Sequence, residues 1–183
     1  TALGQARNLA VGQAKGEWLG FLDCDDTWLP EKLEKQVAVI NAKGPALGLV
    51  YGQMRVLIAE DRKLSPWALQ MAKYSRKPRL LRLPEGNIFD KLLFDNFGPL
   101  GSALVRRTAF HSVGGMNPSY IQGEDYDLFV KVCEKFSAHA VQAVIGHYRV
   151  HGENATRTQP DTAFDEIVDI VRRYLPSPIA KKA

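Results

Sequence analysis

The chain has 183 residues, 45% of them hydrophobic and 24% charged. That is ordinary for one globular domain with a sizeable core. No stretch is long and apolar enough to span a bilayer as a helix. The net charge of +4 and isoelectric point near 9.1 are mild, and without any nucleic-acid recognition motif they argue against a nucleic-acid partner.

Residues 4–14 read as a helix, with Ala6, Leu9, Ala10 and Ala14 available to pack and Lys15-Gly16 closing it. The apolar run Trp18–Leu22 reads as a short buried strand. It stops at Asp23-Cys24-Asp25-Asp26. Carboxylates crowded there repel one another unless a cation neutralises them. If the segment is extended, Asp23 and Asp25 share one face, and such oxygen ligands suit Mg2+ or Mn2+. Asp26 divides between a ligand and a cap for the helix opened by Thr27-Trp28-Leu29-Pro30-Glu31. On that helix Leu33, Val37 and Ile40 fall on one face, up to a stop at Lys43-Gly44-Pro45.

Two strands follow, Leu47–Tyr51 and Met54–Ala59. Residues 60–84 read as a loop rich in Lys73, Arg76, Lys77, Arg79 and Arg82. This segment fits a solvated face or a surface for anionic headgroups or a phosphorylated acceptor, hence peripheral contact with the inner face of a membrane. Gly86–Asn96 is expected to be helical with Ile88, Phe89, Leu92 and Leu93 inward, Ser102–Val105 a strand, and Arg107–Val113 a short helix. Gly114–Pro118 is a turn cluster.

In Gln122-Gly123-Glu124-Asp125, the glycine permits an unusual backbone angle and the acids open a helix to Phe136. Its dipole favours acids in the first turn; alternatively, a carboxylate here serves as a general base. Ala140–Val150 is extended, so His147, Arg149 and His151 alternate onto one face, where a guanidinium suits phosphate and a histidine a metal. Phe164–Leu175 is a last amphipathic helix. Cys24 and Cys133 form neither a zinc spacing nor a disulfide framework, which fits a reducing, cytoplasmic setting. We read residues 1–183 as one α/β domain.

Several segments, in order, carry a resemblance: Gly4-Gln5-Ala6-Arg7-Asn8; Ala14 through Trp28 with Pro30, Leu33 and Gln36; Gly101-Ser102 with Val105-Arg106-Arg107; Val113-Gly114-Gly115-Met116; Glu124-Asp125-Tyr126-Asp127-Leu128; and Tyr148-Arg149-Val150-His151. Together they resemble glycosyltransferase family 2, of the GT-A fold. The resemblance implies a Rossmann-like mixed sheet flanked by helices, lacking the family's N-terminal strand–helix–strand. It therefore implies an incomplete nucleotide pocket and an unpaired sheet edge that a homodimer would cover.

Asp23-Cys24-Asp25 then matches the DxD motif: Asp23 beside the ribose or metal, Asp25 holding a divalent metal on the diphosphate of a nucleotide sugar. Asp125, with Glu124, matches the catalytic base. Arg149 and His151 match a segment closing over the diphosphate, and Arg7 is placed against the nucleotide. The implied reaction is inverting transfer of a sugar to a hydroxyl of a glycan or lipid-linked acceptor. The rival readings are a non-catalytic binding remnant and a glycoside hydrolase using a carboxylate pair.

Overall fold

The computed structural model describes residues 3–58, 82–150 and 160–174. Five strands form one mixed sheet: β1 (Trp18–Gly20), β2 (Thr27–Trp28), β3 (Leu47–Ile58), β4 (Leu104–Arg106) and β5 (Ser137–Val150), in the order β1-β4-β3-β5-β2. The central pair, β3 and β5, is parallel; every other pairing is antiparallel. Among the described residues six α-helices flank it: α1 (Leu3–Gln13), α2 (Lys32–Lys43), α3 (Phe89–Phe94), α4 (Arg107–Ser112), α5 (Glu124–Lys135) and α6 (Pro160–Arg172). The core is built from Leu49 and Tyr51 on β3, Val105 on β4, Leu92 on α3, and Leu128, Phe129 and Val132 on α5.

The expected mixed α/β sheet is present, with several differences from the expected elements. The strand expected over Trp18–Leu22 pairs only as far as Gly20. The two strands expected between 47 and 59 are one, because register shifts at Gly52 and Gln53 absorb the irregularity that reads as a break. Thr27-Trp28 does not open a helix. It pairs with Gly146 and His147 of β5, and α2 starts only at Lys32. Of the helix expected over 86–96, only Phe89–Phe94 forms, although Ile88, Leu92 and Leu93 are buried as expected. Ala59, at the end of the second expected strand, and residues 60–81 of the basic segment lie outside the described residues.

Helix α2 buries a face other than its apolar one. Leu33 and Val37 are 47% and 45% exposed, whereas Lys32 and Gln36 are fully buried. The Gln36 amide donates to the carbonyls of Val50 at 3.1 Å and Ser102 at 2.9 Å, and Lys32 Nζ donates to Gln36 Oε1 at 2.6 Å. Lys32 also lies 4.1 Å from the Trp28 ring centre. Two buried carbonyls thus gain partners that an aliphatic face could not supply. With no carboxylate paired to it among the described residues, Lys32 is held down at about 8 by burial.

Candidate active site

The acidic cluster closes a turn past the end of β1. Asp26 N–H donates to the Asp23 carbonyl at 3.1 Å, so the segment is not extended and simple alternation does not place Asp23 and Asp25. Asp26 is no helix cap, since α2 begins six residues later and Glu31 occupies its N-cap. Its buried carboxylate accepts the Arg149 N–H at 3.0 Å, tying the turn to β5. Burial, then the neighbouring carboxylates of Asp25 and Asp23, push Asp26 up to about 6 against the opposing effect of that hydrogen bond. Gly101 leaves room beside it, since a Cβ there would sit 3.3 Å from Asp26 Oδ2.

The second acidic motif reaches the first through α1. Gly4 lets α1 approach α5 closely; a Cβ at that position would lie 3.1 Å from the Asn117 carbonyl and 3.3 Å from the Glu124 Cβ. One turn on, the Arg7 guanidinium donates to Asp23 at 2.6 Å and to Glu124 at 2.5 Å. The adjacent Asn8 amide donates to the Met116 carbonyl at 2.8 Å and accepts its N–H at 3.0 Å. The turn glycine Gly115, at φ 71°, is needed here, since a Cβ would stand 2.9 Å from Asn8 Oδ1. Two motifs distant in sequence, the one at residues 7–8 and the one at 114–116, are therefore one packed unit.

Glu124 is buried, and its second oxygen, Oε2, has no hydrogen-bond partner. Burial and the adjacent Asp125 raise its pKa, which Arg7 partly offsets. Asp125 is likewise raised, first by burial and further by Asp23, with Arg7 again opposing. Asp23, Arg7, Glu124 and Asp125 thus form one electrostatic group. Carboxylates so raised share protons near neutrality and make better bases than exposed ones. Gly123 has φ −95°, so it does not supply the unusual angle expected of it. It supplies space, because a Cβ would meet Glu166 and Ile170 of α6 at 3.2 Å.

Of the remaining expected residues, His147 and Arg149 lie on β5. His147 Nδ1 is 3.1 Å from Thr27 Oγ1, and Arg149 is exposed near the end of β5. His151 lies outside the described residues. Between α1 and the end of β1 runs a groove of about 380 Å³ lined by Leu3, Ala6, Ala10, Phe21, Leu22 and Asp23. No group of three or more His, Cys, Asp or Glu side chains is arranged for a metal among the described residues. Two carboxylates without a third protein ligand suit Mg2+ or Mn2+ carried in with phosphate oxygens, since such ions are commonly held by one or two carboxylates plus substrate phosphates. The donor chemistry at Asp23 and Asp25 therefore fits that ion.

Sequence reasoning assigned no site role to Lys32 or to Trp28, whose indole N–H donates to the Gly101 carbonyl at 2.8 Å. It also passed over Glu166, which accepts hydrogen bonds from the loop before Glu124. A buried lysine reads as a surface residue and Glu166 as an exposed helix position; neither has a local signal. Both cysteines are free, and burial pushes the Cys133 thiol up to about 12. No helix among the described residues is long and apolar enough to cross a membrane.

The family described as glycosyl transferase family 2 matches residues 1–113. An uncharacterized glycosyltransferase of Haemophilus influenzae is 23% identical over 93% of this chain and 54% of its own length. The succinoglycan biosynthesis protein ExoO of Rhizobium meliloti is 27% identical over 98% of this chain and 52% of its own length. The Escherichia coli UDP-Glc:alpha-D-GlcNAc-diphosphoundecaprenol beta-1,3-glucosyltransferase WfaP is 26% identical over 80% and 51%. The chain thus spans about half the length of these relatives. Among solved structures, S. aureus TarS 1-349 in complex with UDP-GlcNAc superposes with a TM-score of 0.65 at 14% identity, covering 96% of this chain and 47% of that one. That likeness is one of fold.

Proposed function

The chain belongs to glycosyltransferase family 2, and from that premise we propose that its parent protein transfers a sugar, with inversion, from a nucleoside diphosphate to a hydroxyl group. The observation carrying this reading is Arg7, whose guanidinium joins Asp23 of one acidic motif to Glu124 of the other. Diphosphate binding and base catalysis need two sets of carboxylates held at one site, and this is such a pair of sets.

In the proposed reaction Asp23 and Asp25 bind the diphosphate side of the donor together with Mg2+ or Mn2+. The ion, when bound, would supply positive charge against the leaving diphosphate. Asp125 accepts the proton of the acceptor hydroxyl as that oxygen attacks the anomeric carbon. The new C–O bond forms as the bond to the diphosphate breaks, so a single displacement inverts the anomeric carbon. Arg7 holds Asp23 and Glu124 in register. Arg149 lies beside the turn through its backbone bond to Asp26 and is assigned to the diphosphate. The names of WfaP and of the TarS complex support a uridine diphosphate sugar as donor and, from WfaP, a lipid-linked glycan as acceptor.

Calorimetry with UDP on the natural protein carrying this chain tests the reading. Binding should require Mn2+, vanish with a chelator, and be lost in Asp25→Ala while the fold is kept, because removing a carboxylate from a crowded cluster costs the free protein little. Equal binding with and without metal, or in Asp25→Ala, would contradict it.

A further inference from the structure

Helix α6 holds the loop that carries the acidic pair, and it does so through one carboxylate. Glu166 Oε1 accepts the Ile121 N–H at 2.7 Å, while its Oε2 accepts those of Gln122 at 2.9 Å and Gly123 at 2.8 Å. Three consecutive backbone donors thus converge on one anion, immediately before α5 begins at Glu124. Charge-assisted bonds of this kind are stronger and more directional than neutral ones. Around them Tyr120 bonds Asp169, Arg173 bonds Asp127, and Ile170 is fully buried. Gly123 admits the helix, since any Cβ there would press on Glu166 and Ile170. All of this lies beyond the residues matched by the family model.

We propose that Glu166 is a positioning residue, which fixes loop 121–123 and so sets where Asp125 meets the acceptor hydroxyl. The proposal rests on the reading of Asp125 as the base. Glu166 touches neither reacting group. It acts by removing the freedom of the three peptide units that lead into Glu124 and Asp125. A base displaced by about 1 Å costs turnover steeply while leaving the donor site alone.

Two variants test this. Glu166→Ala removes both acceptor oxygens and with them all three bonds, and Glu166→Gln keeps the shape and one carbonyl acceptor. Amide hydrogen exchange at Ile121, Gln122 and Gly123 should rise about 10-fold or more in Glu166→Ala, with exchange in β3 and β5 unchanged, and less in Glu166→Gln. In the natural protein carrying this chain, kcat should fall about 10-fold or more in Glu166→Ala with the donor KM within about 2-fold, and Glu166→Gln should recover part of it. Unchanged exchange at the three amides would overturn the proposal. So would a loss of kcat matched by a rise in KM and by faster exchange throughout the sheet, the signature of general destabilisation. The exchange arm needs no turnover: a loop that opens in Glu166→Ala of a parent that transfers no sugar upholds the clamp and contradicts the transferase reading instead.

Discussion

Arg7 and Glu124 form a largely buried ion pair at 2.5 Å, linking the second turn of α1 to the first residue of α5. The second bond of Arg7, to Asp23, is half exposed and contributes little by itself. The buried half matters more, because Glu124 also has an unpartnered oxygen. Removing the cation leaves a desolvated carboxylate uncompensated.

Arg7→Met should therefore destabilise the chain by about 2 kcal/mol or more at pH 7.5. The sign with pH follows from Glu124, whose folded pKa is raised by burial. Its ionisation opposes folding, so the cost is present at neutral pH and disappears as the pH falls and Glu124 is protonated. Urea unfolding at pH 7.5 and pH 5 should show the variant's deficit shrinking in acid. A deficit equal at both values would mean that Arg7 does not compensate Glu124.

Lys32 gives the opposite pH signature. Its folded pKa of about 8 lies below the usual 10.5. Between those values the unfolded chain binds the extra proton, so stability rises with pH by up to about 3 kcal/mol. Lys32→Met should abolish that rise. The difference between parent and variant, followed by unfolding from pH 7 to 10.5, isolates this group.

Gly146 keeps β5 close to β2. A Cβ there would lie 2.5 Å from Met54 Sδ and 2.8 Å from the Thr27 carbonyl oxygen. Methionine can move aside; a strand backbone cannot. Gly146→Ala should cost about 2 kcal/mol and loosen the turn at Asp26, measurable as a lower urea midpoint and faster exchange of the Arg149 amide.

What was legible in the sequence was whatever had a local cause. The acids of α5 sit in its first turn, where the dipole favours them, and Leu128 and Val132 are buried as their spacing indicates. The order of motifs was legible too. What escaped was decided by distant partners. The Leu33 and Val37 stripe reads as the core face of α2, yet two carbonyls on neighbouring segments recruit Gln36 instead. Trp28 reads as part of a helix start, yet β5 takes it into the sheet. Arg7 reads as a nucleotide contact, and the structure shows its bonds to Asp23 and Glu124. Glu166 has no signal within its own helix, because the groups it binds lie more than 40 residues earlier.

The account turns on Asp125 as the proton acceptor. Asp125→Asn keeps the size and most hydrogen-bonding capacity of the side chain while removing its basicity. The decisive measurement is the turnover of this variant in the natural protein carrying the chain, beside its calorimetric affinity for UDP and Mn2+. The account predicts a fall in kcat of about 10²-fold or more with donor affinity unchanged. A kcat within a few-fold of the parent, at equal affinity, would contradict it and leave Asp125 as an ordinary acid at the start of a helix.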